Sequence, residues 1–335
     1  MPKFVSSCLL FCSILVVSIP LHAEETLPHA GKAVLITGAS SGIGRHAAEQ
    51  LAAAGYFVYA GARKDADLEA LNQIENIQGI RLDVTKPDEI AAAVEKIGSQ
   101  DRGLWGLVNN AGVNVIDPLI EGRESDWEFL FDVNVFGVMR VTKAFAPMII
   151  ESKGRIVNIS SISGILSGGP MIGYGPYSMS KHAIEAYSDQ LESEMALLGV
   201  EVSAVEPGGF RSKIGESRCK RMMAQAAERE YQYFAAAMKQ YTDSCQKRLE
   251  ENTQYGTEPK AVSDAIQHAL FADQPKSHYL VTPDAFEARV TILKLFEEML
   301  HLNHQQEYSL TREQLLEIMD EEWAILKGEK ERSWE

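Results

Sequence analysis

The sequence predicts an α/β fold, a doubly wound parallel sheet in a single domain with a helical C-terminal extension. Two observations carry this. From Lys32 onward, short β-rich runs alternate with helical stretches, the pattern of strands joined by helical crossovers. The runs are also apolar without interruption, as in Val34-Leu35-Ile36, which suits strands covered on both faces.

The elements follow in order. Ala33–Thr37 reads as a strand and Ile43–Ala54 as a helix. Tyr56–Ala60 and Ile80–Leu82 are the next strands, and Pro87–Ile97 is a helix whose proline sits in the first turn, where its missing N–H costs nothing. Leu104–Val108 is a strand, about 124–150 one long helix, and Arg155–Ile159 another strand. A helix runs through Tyr177 to Leu198 and a strand from Val200 to Val205. After Pro207 the alternation stops. Residues 213–253 are helical in composition, Ala261–Phe271 is a helix, Tyr279–Val281 a last strand, and 284–301 and 311–327 are amphipathic helices.

Composition narrows the function classes. Over 335 residues the formal net charge is -15, and with no basic stripe such a field repels nucleic acid. Lys3 precedes the apolar run Cys8–Val17, and Ala23 stands where a signal would be cut, although Leu21 is larger than the usual small residue. Residues 1–23 therefore read as a signal peptide or as an N-terminal anchor with residues 4–19 in the membrane. An exported or membrane-anchored protein (periplasm or secretory lumen) follows, with a cytoplasmic one as the alternative. Of four cysteines, Cys8 and Cys12 belong to the leader, and Cys219 and Cys245 remain. They show no metal spacing. An oxidising compartment would let them pair, a reducing one would not, and the sequence does not decide between these.

Thr37-Gly38-Ala39-Ser40-Ser41-Gly42-Ile43-Gly44 lies between the first strand and the first helix. There glycines allow a tight turn, and the amides of Ser40 to Gly44 can approach a pyrophosphate at the positive helix end. The second strand ends in Gly61-Ala62-Arg63-Lys64, with no acid to hold a ribose 2′-hydroxyl. Arg63 offers a donor fork to a 2′-phosphate. NADP(H) is preferred on this ground, and NAD(H) is the alternative.

Tyr177 and Lys181 stand at i and i+4 and share a helix face. A free tyrosine titrates at about 10 and exchanges protons poorly near neutrality, but a neighbouring ammonium lowers that value. The pair suits proton exchange with a carbonyl oxygen. Tyr174 has Ser178, not lysine, four residues on.

At these positions the sequence resembles a short-chain dehydrogenase/reductase. It does so at the Thr37–Gly44 loop, at Asp83-Val84, at Asn109-Asn110-Ala111-Gly112, at Asn134, Ser161, Tyr177 and Lys181, and at Pro207-Gly208, in the family's order across 32–212. In finer detail it is similar to the retinol and 17β-hydroxysteroid dehydrogenase branch. The resemblance implies a Rossmann-fold NAD(P)-binding catalytic domain over 31–282, a helical substrate lid at about 213–256 and a C-terminal extension over 283–335. It implies hydride transfer between nicotinamide and a small-molecule alcohol or carbonyl, and a homodimer or homotetramer. Tyr177 would be the acid/base, with Lys181 on the nicotinamide ribose. Ser161 would bond the substrate oxygen, and Asn134 would help hold a water that links Lys181 to solvent. Asp83 would contact adenine, with Val84 beside it. Asn110, Ala111 and Gly112 would line the cofactor path, and Pro207, Gly208 and Ser212 would flank the nicotinamide.

Ser160, Ser161 and Ser163 all lie near the fifth strand. Alternation turns Ser160 and Ser161 to opposite faces, and Ser161 is favoured because it stands three before Gly164, as in the family's Ser-x-x-Gly. Residues 167–173 lengthen the loop between Ser161 and Tyr177, altering the pocket mouth. In the lid, Phe210, Met222, Met223, Phe234 and Met238 suit a lipophilic alcohol or ketone if they face a pocket, and a plain helix core if they do not. A nucleotide-binding sensor or scaffold without turnover is the competing class.

Overall fold

The structure, a computed structural model, describes residues 32–168, 172–226, 228–251 and 256–332. The leader and part of the loop between Ser161 and Tyr177 (169–171) lie outside the described residues. The chain runs β1 (Ala33–Ile36), α1 (Gly42–Ala53), β2 (Phe57–Ala62), α2 (Asp65–Asn72), β3 (Ile77–Arg81), α3 (Pro87–Gly98) and β4 (Gly106–Asn109). It continues through α4 (Glu124–Phe131), α5 (Gly137–Ser152), β5 (Arg155–Ile159), α6 (Gly175–Ala196) and β6 (Glu201–Pro207). Then come α7 (Ile214–Ala226), α8 (Ala235–Glu250), α9 (Lys260–Phe271), β7 (His278–Val281), α10 (Ala285–Asn303) and α11 (Arg312–Leu326).

The strands form one seven-stranded sheet in the order β3-β2-β1-β4-β5-β6-β7, every pair parallel. Successive side chains of a strand point to opposite faces, and both faces are packed. Val34 and Ile36 join Leu51 of α1 and Ile266 of α9 in one cluster. Ala33 and Leu35 join Ile97 of α3 with Phe145 and Ile149 of α5 in the other. This is why the strands read as unbroken apolar runs. The strand order reverses between β1 and β4, and a crevice opens at their carboxyl ends, where such sheets bind ligands.

Several elements depart from the sequence expectation. β3 begins at Ile77 rather than Ile80, because register with β2 carries Gln78 and Gly79 into the sheet despite their weak strand preference. Helix α2 was not expected; it is one short run with Asp65 and Asp67 in its first turn and only Leu71 buried. The helix over 124–150 is interrupted by one π-helical turn, Asp132–Phe136. The segment expected to be a lid divides into α7 and α8, joined by a Cys219–Cys245 disulfide with Cα atoms 5.0 Å apart. Between them Arg229 Nη2 lies 2.7 Å from the buried Asp117 Oδ2 and anchors this helical segment to the stretch after β4.

The disulfide closes a loop of 26 residues, a size for which cross-linking restricts the unfolded chain by about 3 kcal/mol. Cys219→Ser with Cys245→Ser is expected to lower the thermal midpoint by several degrees and to expose 214–250 to limited proteolysis. An unchanged midpoint and digest would contradict this.

Candidate active site

Along the carboxyl ends of β1, β2, β4, β5 and β6 runs a cavity of about 1220 Å³. Arg63 and Asp83 line one end, Ser161 and Tyr177 the other, and residues of α7, α8 and α10 the outer wall.

The glycine loop forms the floor. Gly38 and Gly42 adopt φ of +65° and +59°, left-handed values that side chains disfavour. A Cβ on Gly44 would come within 2.3 Å of Asn110 Nδ2, so only glycine fits there. Asn110 in turn donates to the carbonyl oxygens of Thr37 (2.9 Å) and Gly38 (3.2 Å). The Thr37 hydroxyl accepts from the amides of Asn110 and Ala111. Ser41 caps α1 in extended backbone without spending its hydroxyl on a cap bond. The first amides of α1 have no helical acceptor, which leaves an anion cradle at the helix's positive end. Ser40, Ile43, Gly112, Pro207, Gly208 and Ser212 also line the cavity. These residues fit a dinucleotide.

At the far end of that floor Arg63 Nη1 is 3.7 Å from Asp83 Oδ2. Burial pushes the Asp83 carboxyl up, but bonds from the Thr85 amide and hydroxyl, then Arg63 and Lys86, bring it below the ordinary range. Val84 and Ala62 complete this wall. Lys64 instead caps α2 and does not line the cavity.

At the other end Ser161 and Tyr177 both line the cavity, Ser161 Oγ donating to the Pro207 carbonyl at 3.5 Å, and burial pushes the Tyr177 hydroxyl up to about 12. The Ser161 hydroxyl and the charge of Arg218 pull the other way, while Tyr174 adds to the rise. Ser160 and Ser163 also line the cavity; Ser160 Oγ reaches the carbonyl of Lys181 and Glu185, and Ser163 gives its backbone N–H to Ser161 Oγ. Lys181 Nζ donates to the carbonyl of Ile159 at 2.8 Å and sits 5.8 Å from the Tyr177 ring centroid. Arg218, from α7, is a further cation whose charge acts on Tyr177. Burial pushes Lys181 down to about 8, with Glu185 opposing.

Asn134 is buried in the π-helical turn, a local irregularity common at functional sites. Its Oδ1 accepts from the Val113 amide, and its Nδ2 donates to the Val113 carbonyl and to Ser180 Oγ. Its bonds thus reach α6 through Ser180, next to Lys181, where a water link to Lys181 was expected.

Of the lid's apolar residues, Phe210 lines the cavity, and Met222, Met223, Phe234 and Met238 do not. Met238 is buried and Met222 lies against Cys245, while Met223 and Phe234 are half-buried away from the cavity. Sequence reasoning missed the basic side chains that line the wall instead, Lys213, Arg218, Arg221 and Arg248, and also Val290, Leu293 and Lys294 of α10. Nothing local marks them; the way α7 and α10 fold back decides it.

Behind Lys181, His278 Nδ1 bonds to the buried Glu206 (2.7 Å) and Nε2 to Asp189 (2.9 Å). The Glu206 bond, then the charges of Glu206, Asp189 and Glu185, raise His278 to about 9 against its burial.

The chain's relatives are consistent with this geometry. A family model described as short chain dehydrogenase matches residues 32–222. Bovine (Bos taurus) mitochondrial D-beta-hydroxybutyrate dehydrogenase is 34% identical over 274 residues, 77% of this chain and 79% of that one. Retinol dehydrogenase 7 of Rattus norvegicus is 35% identical, covering 76% and 81%. Human (Homo sapiens) 17-beta-hydroxysteroid dehydrogenase type 6 is 36% identical, covering 76% and 81%. A solved short-chain dehydrogenase from Streptomyces avermitilis is similar at 29% identity and TM-score 0.65, over 81% of this chain and 94% of that one. So is actinorhodin polyketide ketoreductase with NADPH, at 26% and 0.60, over 75% and 95%.

The folded-state value of His278, about 9, exceeds the ordinary 6.5. Its bonds therefore stabilise the fold fully below pH 6.5 and are lost as pH rises through about 9. Lys181, held at about 8, works oppositely above that pH. His278→Gln should flatten the fall in thermal midpoint between these limits; equal slopes for variant and wild type would refute the assignment.

Proposed function

The chain belongs to the short-chain dehydrogenase family, and from that premise we propose that Tyr177 is the acid/base for an NADP(H)-dependent interconversion of an alcohol and a carbonyl. The family identity makes the chain an oxidoreductase of CH–OH groups that uses a nicotinamide cofactor and a small-molecule substrate. One observation carries the finer reading: Ser161 and Tyr177 line the same end of a cavity whose other part is the glycine cradle.

When bound, the nicotinamide supplies or accepts the hydride. In the reductive direction Ser161 holds the substrate oxygen, and the Tyr177 hydroxyl, protonated at neutral pH, donates to that oxygen. The resulting phenolate lies in the field of Arg218. Lys181, fixed on the Ile159 carbonyl, is at hand for the cofactor's ribose and holds α6 on β5. Asn134 braces the same helix through Ser180. A nucleotide-binding protein without turnover would have no use for a hydroxyl pair buried at that end.

Arg63, with Ala62 in place of an acid, supports NADP(H), and the charge of Arg221 acts close to it. The solved ketoreductase with NADPH adds to this. Phe210, Leu166, Val290 and Leu293 on the wall suit a substrate with an apolar body, as the named retinol and steroid relatives suggest. We take 31–282 as the catalytic domain, 213–256 as its lid and 283–335 as the extension. The disulfide supports an oxidising compartment, and so the exported or anchored reading of the leader. Exposed Phe136 and Met139 beside α4 support a homo-oligomer.

Tyr177→Phe is expected to lower kcat of carbonyl reduction by about 10²–10⁴-fold, the usual worth of a positioned proton donor. Turnover as fast as wild type would end this reading. Arg63→Ala should reduce the NADPH-over-NADH ratio of kcat/KM by about tenfold or more, the loss of a charge-assisted phosphate bond. An unchanged ratio would remove Arg63 from cofactor choice.

A further inference from the structure

We propose that Arg218 recognises an anion, and that the substrate is an oxo or hydroxy acid whose carboxylate lies a few bonds from the carbon that exchanges hydride. This rests on the reading of Tyr177 as the acid/base. Arg218 sits in α7 next to Cys219, whose disulfide fixes that turn against α8. Its Nη1 donates to Tyr174 Oη over 3.0 Å, and its guanidinium carbon is 5.9 Å from the Tyr174 ring centroid. Tyr174 begins the turn of helix that carries Tyr177, and the charge of Arg218 acts on the Tyr177 hydroxyl. The guanidinium therefore belongs to the catalytic end of the cavity.

One edge of that guanidinium is uncommitted. Nε and Nη2 of an arginine present two parallel N–H groups, the fork that meets a carboxylate. Among the described residues neither has an acceptor, and Nε is buried. Arg123, Arg155 and Arg211 also hold a buried nitrogen without a partner, but of the four only Arg218 lines the cavity. The neighbouring cations differ. Arg229 is neutralised by Asp117 at 2.7 Å and Asp126 at 3.4 Å, and Arg221 donates to the Asn114 carbonyl. No carboxylate of the described residues is ion-paired with Arg218.

The cofactor's anions have their own places, the pyrophosphate at the α1 cradle and a 2′-phosphate at Arg63. That leaves the Arg218 fork to the substrate, with the apolar remainder against Phe210 and Leu166. The carboxylate is a spectator to the chemistry. In reduction a C–H bond forms at the carbonyl carbon from the hydride, the oxygen takes the Tyr177 proton, and NADPH becomes NADP+.

The test compares acetoacetate with acetoacetamide, its neutral isostere, and a longer 3-oxo acid with its amide, using full-length protein and NADPH. Wild type should favour each acid in kcat/KM by about 30-fold or more, as for a charge-assisted pair in a partly desolvated site. Arg218→Met should bring the ratio near unity with the thermal midpoint kept, and Arg218→Lys should restore part of it. A wild-type ratio of one or below, or a ratio unchanged in Arg218→Met, overturns the proposal. If neither compound is reduced, a neutral aromatic aldehyde reports whether the hydride-transfer reading stands. Binding then decides this proposal: with NADP+ present, acetoacetate should raise the wild-type midpoint more than acetoacetamide and lose that advantage in Arg218→Met. Equal shifts overturn it.

Discussion

A buried ammonium must find acceptors, and Lys181 finds the carbonyl of Ile159 at the end of β5, 2.8 Å away. That bond sets α6 against the sheet, and the rest of the site follows from it. One turn before Lys181, Tyr177 comes to rest against Ser161, two residues beyond Ile159. One residue before it, Ser180 meets Asn134 from the π-helical turn. One turn after it, Glu185 enters the Glu206–His278 cluster that ties α6 to β6 and β7. Lys181 thus joins the proton-exchanging end of the cavity to the sheet core.

Charge is distributed with similar economy. The chain as a whole is strongly acidic, at -15, yet its cavity wall gathers Arg63, Lys213, Arg218, Arg221, Arg248 and Lys294. A cleft lined mainly by one sign concentrates ligands of the other, and a dinucleotide brings several negative charges. The basic lid side chains hang on α7 and α8, whose relative placement depends on the disulfide and on the Arg229–Asp117 pair. Lid geometry and cavity electrostatics are therefore one property.

What could be read from sequence divides along the same line. The glycine loop and the Tyr177/Lys181 spacing were legible because each is local: a strand, a turn and a helix, or two positions on one helix face. Ser161 is favoured over Ser160 by strand alternation together with the resemblance's Ser-x-x-Gly, and both serines line the cavity. The β3 start was not legible, because register with β2 and not composition admits Gln78 and Gly79. Nor was Arg218, whose place depends on α7 folding back over α6. The acceptor of the Lys181 ammonium, the Ile159 carbonyl, lies 22 residues away in the chain, and helix spacing does not point to it. Met222, Met223, Phe234 and Met238 show the same ambiguity from the other side, since an apolar residue in a lid packs a core as readily as a pocket.

The most direct measurement follows the hydrogen itself. NADPH carrying deuterium at the transferable position of its nicotinamide ring would be incubated with the protein and a ketone, and the product weighed by mass spectrometry. The account predicts one deuterium, bound to the new carbinol carbon, for each cofactor consumed. An alcohol without deuterium, or cofactor that binds and is never consumed with any carbonyl, would contradict it.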